Sequence, residues 1–378
     1  MRNFEFVNPT KLVFGKGTIA RLAELIPADK KIMITFGGGS VKTNGVYAQV
    51  KDALKNHNCI EFWGIEPNPK YETLLEAIKL GREEKIDMLL AVGGGSVVDG
   101  TKFIAAAIPY TKGEAWDLIE NNSLVESTIP LADVITLPAT GSEMNNGAVI
   151  SRIATKEKYA FFSDTNFPVF SILDPEVTYS LPKFQIACGV VDTFVHVVEQ
   201  YLTIPAGTIL MDRWAEGILQ TLVEIAPELR KKTPDYDTRC EFMLSATMAL
   251  NGFISMGAAE DWTTHMIGHE LTALHGLTHG VTLAIVYPAV LRIMKEQKET
   301  KLLQYGKRVW GVDNADSAIE KTEQFFREMG LPTRLSEVNA GDETIEEIVR
   351  RFTERKTVLG ECANITPDIV RQILNSAK

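Results

Sequence analysis

The chain has 378 residues, enough for two domains with separate cores, and its 45% hydrophobic and 23% charged residues, with no low-complexity tract, are those of a soluble globular protein. A formal net charge of −10 argues against nucleic acid or an anionic membrane as a main partner, because a polyanion is bound by a basic field. Four scattered cysteines (Cys59, Cys188, Cys240, Cys362) without a CxxC pair read as reduced thiols, and MRNFEFVNPTKLVF at the start carries no long apolar segment, so a cytoplasmic protein is expected.

KIMITF (31–36) is a near-continuous apolar strand running into Gly37-Gly38-Gly39-Ser40. VYAQVKDALKNH then has helical spacing, and CIEFWGI (59–65) reads as the next strand. YETLLEAIKLGREEK is a second helix, followed by the strand MLLAV (88–92) and the cluster Gly93-Gly94-Gly95-Ser96. DVITLPAT (133–140) is a further strand, and SILDPEVTYSLP (171–182) joins a last strand to proline-rich turns. Strands alternating with helices predict parallel βαβ units with ligands at the strands' carboxyl ends. Beyond Leu181 helical periodicity dominates, in FQIACGVVDTFVHVVEQYL, MDRWAEGILQTLVEIAPELR and CEFMLSATMALNGFISM. The expected architecture is an α/β nucleotide-binding domain over 1–180 and an all-α domain over 181–378.

Each GGGS cluster follows a strand. Glycine lets backbone N–H groups approach a phosphate, and a following helix adds free donors and the positive end of its dipole. The second cluster suits this better, since VVDGTKFIAAA continues directly as a helix. It is not the dinucleotide fingerprint GxGxxG, because position 98 is Val98. A tight βα turn is the competing explanation for either cluster alone.

Four of the six histidines, His265, His269, His275 and His279, fall within fifteen residues. His196 follows Asp192 by four residues, which puts both on one helix face and suits two ligands of one cation. A surface carboxylate–histidine pair would account for that spacing too, at a few tenths of a kcal/mol. However, Val190, Val191, Phe194, Val195, Val197 and Val198 leave little solvated face around the pair. A carboxylate in such surroundings needs a cation or strong donors. His269-Glu270…His275 is too widely spaced for the zinc-protease HExxH motif, and His57 reads as a surface residue. Cys188 reads as a small buried apolar residue rather than a ligand.

GGGSVVDGTK (93–102), LPATGSE (137–143), LDPEVTYSLP (173–182), GVVDTFVHVVEQY (189–201) and HMIGHELTALHGLTHG (265–280) together resemble the iron-containing (group III) alcohol dehydrogenases. Within that family the likeness is to the NADPH-dependent aldehyde reductases and butanol dehydrogenases. It implies an N-terminal α/β dinucleotide-binding domain and an all-α, metal-binding C-terminal domain, an architecture similar to dehydroquinate synthase. It implies Asp192, His196, His265 and His279 as metal ligands, with Fe²⁺ or Zn²⁺ as the metal, and His269 near the nicotinamide as the candidate proton relay. The pyrophosphate loop matches Gly93, Gly94, Gly95 and Ser96, with Asp99 nearby. Thr136, Leu137, Thr140, Ser142 and Lys158 match positions lining the nucleotide cleft, and Asn145 one near the substrate.

NAD-preferring members often carry an aspartate in the first βα loop; here Gly37, Gly38, Gly39 and Ser40 accommodate a 2′-phosphate and Lys158 can supply positive charge, so NADP is expected over NAD. A second departure is the plain LPATGSE where the family has a threonine-rich stretch. The implied reaction interconverts short-to-medium primary alcohols and aldehydes, with the metal polarising the substrate oxygen during hydride transfer. A homodimer is implied as well. A glycerol dehydrogenase-like or dehydroquinate synthase-like enzyme is the alternative on the same scaffold. The apolar neighbourhood of Phe253, Ile254, Met256 and Trp262, of which Phe253 and Trp262 are candidate substrate contacts, argues against the latter.

Overall fold

The computed structural model describes residues 1–233 and 235–378. The chain forms two compact units: Val7–Pro182 with Pro234–Thr247, and Met1–Phe6 with Lys183–Thr233 and Met248–Lys378.

The first unit contains strands β1 (Lys11–Phe14), β2 (Lys31–Phe36), β3 (Asn58–Phe62), β4 (Met88–Gly94), β5 (Leu131–Leu137), β6 (Gly147–Arg152), β7 (Glu157–Phe162) and β8 (Phe170–Leu173). Its helices are α1 (Leu22–Leu25), α2 (Ser40–Thr43), α3 (Val46–Ala53), α4 (Tyr71–Glu83), α5 (Gly95–Ala107) and α6 (Asp117–Glu120). Six strands form one parallel sheet in the order β1-β8-β5-β4-β2-β3. Both faces are covered, so strand residues alternate between two cores: Ile32, Ile34 and Phe36 pack with Ile19, Leu22, Val46 and Val50, while Met33 packs with Leu74, Ala77, Val98 and Phe103. That double burial is why β2 and β4 read as apolar runs rather than alternating ones.

The strand order reverses between β2, which continues to β3 on one side, and β4 on the other. At such a switch point the loops leaving neighbouring strands part to opposite faces and open a crevice. Phe36 pairs with Val92, so the two GGGS clusters leave the sheet side by side at this position.

Several features of this unit differ from the sequence reading, among them β5, which runs Leu131–Leu137 rather than 133–140. The antiparallel hairpin β6–β7 was not expected; its turn holds no glycine or proline, and Lys156 takes the left-handed conformation there (φ 51). Edge strand β1 is four residues long, below the length at which periodicity signals a strand. β3 stops at Phe62 rather than at 65, ahead of Gly64 at φ 103.

The second unit is helical, with α7 (Lys183–Tyr201), α8 (Ile209–Leu229), α10 (Thr263–His275), α11 (His279–Ile293), α12 (Lys295–Tyr305), α13 (Ala315–Glu328), α14 (Asp342–Glu354) and α15 (Pro367–Ser376). Between α8 and α10 runs α9 (Tyr236–Ala249), whose residues up to Thr247 group with the α/β unit. The periodicity suggested that this helix continues to Met256, but it ends at Ala249, where the Asn251 side chain caps the Phe253 N–H and Gly252 turns at φ 82. Helix α7 packs against α8 and α11, and α11 also meets α10, α13 and α15, so α7 and α11 form the centre of the unit. Among the described residues no helix is long and apolar enough to cross a membrane.

Candidate functional site

Every residue of α7 from Ile186 to Tyr201 is buried, as its valine-rich sequence requires. Asp192 and His196 lie on it one turn apart, each side chain 5% exposed. Helix α10 contributes His265 and His269; Gly276 ends it in the left-handed conformation (φ 68), and His279 opens α11. These three helices bring Asp192, His265 and His279 together, their ligand atoms within 4.8 Å of one another, with His196 beside them against Asp192. Oδ1 of Asp192 lies 3.5 Å from Nε2 of His196 and 3.8 Å from Nε2 of both His265 and His279. The rings of His196 and His265 stack at 4.7 Å, and His279 stands 5.1 Å from His265.

Ligand atoms about 2.0–2.2 Å from a cation stand roughly 3.3–3.6 Å from one another, close to the observed spacing. Nε2 of His265 is buried and has no hydrogen-bond partner among the described residues, while Nδ1 of the same ring is bonded to Glu199. Burial pushes the His265 imidazole down, but the Glu199 and Asp192 carboxylates outweigh it and hold the value up at about 9. Nitrogens of His265 and His279 and the Oδ1 of Asp192, with Nε2 of His196 against the same oxygen, fit a divalent cation. His279 is the most accessible of the four, at 21%.

The helices can approach this closely because of Gly280. A Cβ there would sit 2.6 Å from the main-chain oxygen of Cys188, one turn before Asp192. His279 is thus carried by the residue next to the α7–α11 contact. Burial and the nearby Asp192 push the Cys188 thiol up to about 12, which suits a packing residue and not a metal ligand. His269, one turn beyond His265, has its ring 5.3 Å from that of His279. His275 bonds Thr344 at 2.9 Å and His57 bonds the Ile26 carbonyl at 3.0 Å; His57 is half-buried rather than a surface residue. The Trp262 and His265 rings meet nearly perpendicular with centroids 5.2 Å apart, whereas Phe253 stacks on Trp214 at 4.0 Å.

In the α/β unit the two GGGS loops are built differently. Gly38 and Gly39 of the first have open space where a side chain would project, and Ser40 begins the short helix α2. In the second, a Cβ on Gly93 would meet Val97 at 2.5 Å and one on Gly95 would meet Thr140 at 2.3 Å. The absent side chains there make room for the protein's own packing of α5 on β4 and the 137–141 loop. Ser96 accepts the N–H of Asn68, and the Asn68 side chain accepts from Lys158 at 2.9 Å, so the buried Lys158 is tied to this loop.

Asp99 accepts from Ser142 at 2.6 Å and from the Val149 N–H at 3.0 Å, and burial raises its carboxyl. Asn145 accepts from Lys102 and from the Gly147 N–H through Oδ1, and donates to the Gly141 carbonyl. Thr136 is buried, Leu137 is half-buried, and the Thr140 hydroxyl accepts the Ser142 N–H. Lys102 is fully buried and pushed down to about 8 by burial, against the pull of Asp99, Asp133 and Glu143.

Residues 9–175 match the iron-containing alcohol dehydrogenase family and residues 186–378 match the C-terminal region of Fe-containing alcohol dehydrogenases. The chain belongs to the iron-containing alcohol dehydrogenase family. It is 51% identical to the NADPH-dependent aldehyde reductase YqhD of Escherichia coli (strain K12), with both chains covered in full. It is 39% identical to the probable NADH-dependent butanol dehydrogenase 1 of Bacillus subtilis (strain 168), again over the whole of both. The solved substrate- and cofactor-free aldehyde reductase YqhD from E. coli superposes with a TM-score of 0.92 at 49% identity, covering 100% of each chain. The NADH-dependent butanol dehydrogenase A of Thermotoga maritima gives a TM-score of 0.94 at 36% identity, covering 100% of this chain and 99% of that one. As an iron-containing alcohol dehydrogenase, this chain is an oxidoreductase of alcohols and aldehydes.

Sequence reasoning missed Glu199, Gly280 and Lys102. Glu199 lies seven residues after Asp192, the spacing that returns a helix to the same face, so it was open to discovery. Gly280 and Lys102 carry no such signal, because their roles depend on what packs against them.

Proposed function

We propose that the chain reduces short-to-medium-chain aldehydes, and oxidises the matching primary alcohols, with NADP(H) in preference to NAD(H). Asp192, His196, His265 and His279 would hold Fe²⁺ or Zn²⁺, and the observation that carries this reading is the convergence of Asp192, His265 and His279, with His196 on the same Asp192 oxygen. A divalent cation there supplies a Lewis acid for the substrate oxygen, and the nicotinamide supplies or accepts the hydride.

The remaining roles belong to the chain's own residues. Asp192 offsets part of the cation's charge, and the three imidazoles offer neutral nitrogens without adding more. His269 moves the proton between the substrate oxygen and solvent, and Asn145, Phe253 and Trp262 contact the substrate. Gly93–Ser96, leading into α5, receives the cofactor's pyrophosphate with Asp99, Thr136, Leu137, Thr140 and Ser142 around it; α5 adds its N-terminal dipole. Gly37–Ser40, which lacks a carboxylate and is open at Gly38 and Gly39, admits the 2′-phosphate, with Lys158, tied through Asn68 to Ser96, as the cation that supplies positive charge. The working form is a homodimer.

The test is metal analysis together with NADPH and NADH oxidation by a panel of C2–C6 aldehydes. Near-stoichiometric Fe or Zn, faster turnover with NADPH and loss of both metal and activity in Asp192→Ala are expected. Full activity in a metal-free Asp192→Ala protein would overturn the metal reading, and a preference for NADH would overturn the cofactor reading.

A further inference from the structure

Glu199 lies two turns along α7 from Asp192 and is 2% exposed. Both of its carboxylate oxygens are spent on the first turn of α10: one bonds Nδ1 of His265, and the other accepts the Thr264 N–H at 2.6 Å. Its main-chain carbonyl accepts the Asp261 N–H at 3.0 Å. Asp261 in turn caps α10 by accepting the Thr263 N–H at 3.1 Å and pairs with Lys298 at 2.7 Å. Lys298 also reaches Glu361 at 3.0 Å and the Leu202 carbonyl at 2.7 Å; its side chain is 2% exposed and that of Glu361 0%. Trp262, between these contacts, is held at a positive φ of 61 that a tryptophan rarely adopts, so the turn is fixed from outside itself.

This arrangement settles which nitrogen of His265 faces which partner. The ring nitrogen bonded to the Glu199 carboxylate keeps its proton, so the other is the one whose lone pair a cation can take. Here the nitrogen left over is Nε2, the atom turned toward Asp192. Charge points the same way. Three imidazoles and Asp192 would leave a divalent cation near +1, and the Glu199 carboxylate offsets that remaining charge, which lowers the cost of burial.

We propose that Glu199, anchored through the Thr264 amide and the Asp261–Lys298–Glu361 ion pairs, is a positioning residue of the metal centre that holds His265 with Nε2 as the ligand atom. This rests on the reading of Asp192, His196, His265 and His279 as a metal site.

The test is competition of the metal-stripped full chain with a chromophoric chelator for Zn²⁺, and the visible spectrum of the Co²⁺-loaded protein. Wild type, Glu199→Gln, Glu199→Asp and Asp192→Asn are compared. The expected outcome is one ion per wild-type chain, loss of binding in Asp192→Asn, and affinity weaker by about 10–100-fold in Glu199→Gln with a shifted Co²⁺ spectrum. Glu199→Asp, which keeps the charge and shortens the reach, falls between; it also serves as the test if Glu199→Gln does not fold. Affinity within twofold of wild type and an unchanged spectrum in the Glu199 variants, alongside loss in Asp192→Asn, would overturn the proposal and leave the metal site standing. A wild-type chain that binds neither ion would overturn both.

Discussion

In the α/β unit Asp133 and Glu143 are fully buried, each facing a hydroxyl, Ser171 at 2.7 Å and Thr247 at 2.6 Å, and burial raises both carboxyls. In the helical unit Asp192 and Glu199 are equally deep, but imidazoles surround one and an imidazole and an amide hold the other. Burial pushes a carboxyl among hydroxyls toward its neutral form, here against the pull of Lys102. A carboxyl among imidazole nitrogens has partners that can hold a proton or share a cation. Depth of burial is similar in the two regions, and what differs is the set of groups around each carboxyl.

Asparagine substitutions break the comparison most sharply. Asp192→Asn should abolish metal loading and lower kcat/KM by about 10³-fold, the rate equivalent of several kcal/mol of charge stabilisation. Metal content and initial rates with NADPH and an aldehyde are the measurements. Near-normal values of both would erase the distinction between the two regions.

Lys102 sharpens the α/β side. Its folded value of about 8 lies below the ordinary 10.5, so between those values the unfolded chain binds more protons than the native one and stability rises with pH. The difference in unfolding free energy between wild type and Lys102→Met should move in favour of wild type by on the order of 3 kcal/mol across that window. Denaturant titrations at pH 7.5 and 10.5 read it; a flat difference would mean that the amine is not desolvated.

On the helical side, Gly280→Ala forces a Cβ against the Cys188 backbone. The overpacking should cost about 1–3 kcal/mol of stability and lower metal occupancy, because α11 moves and takes His279 with it. Unfolding curves with and without added Zn²⁺ separate the two effects. The smallest effect is expected from Asp133→Asn. A carboxyl already held toward its neutral form loses little when made an amide, about 1 kcal/mol or less. A larger loss would show that Asp133 is ionised in the native chain.

The buried parallel strands were legible because a sheet covered on both faces demands apolar runs, as in KIMITF and MLLAV. The hairpin β6–β7 was not, since its turn is made by Lys156 and not by a residue that advertises a turn. At the site, the i,i+4 spacing of Asp192 and His196 and the break at Gly276 are readable in the sequence as side chains that can converge. Which histidines converge depends on how α7, α10 and α11 pack, and there only family resemblance could choose. Lys102 stayed hidden because a lysine in a helix reads as solvated, and only the three carbonyl oxygens around it, two from Asn145 and one from Gly147, reveal a buried amine.

Val97 lies beneath both glycine loops. Its Cγ2 is 2.5 Å from where a Gly93 side chain would start and 3.4 Å from the same point on Gly37. One isopropyl group is thus the common floor of two loops that follow different strands. Trimming it to a methyl would leave a void under both at once, and by the usual cost of a lost core methylene pair, about 1–2 kcal/mol, both rims would loosen together. The two loops share one packing residue, so a change at Val97 reaches both.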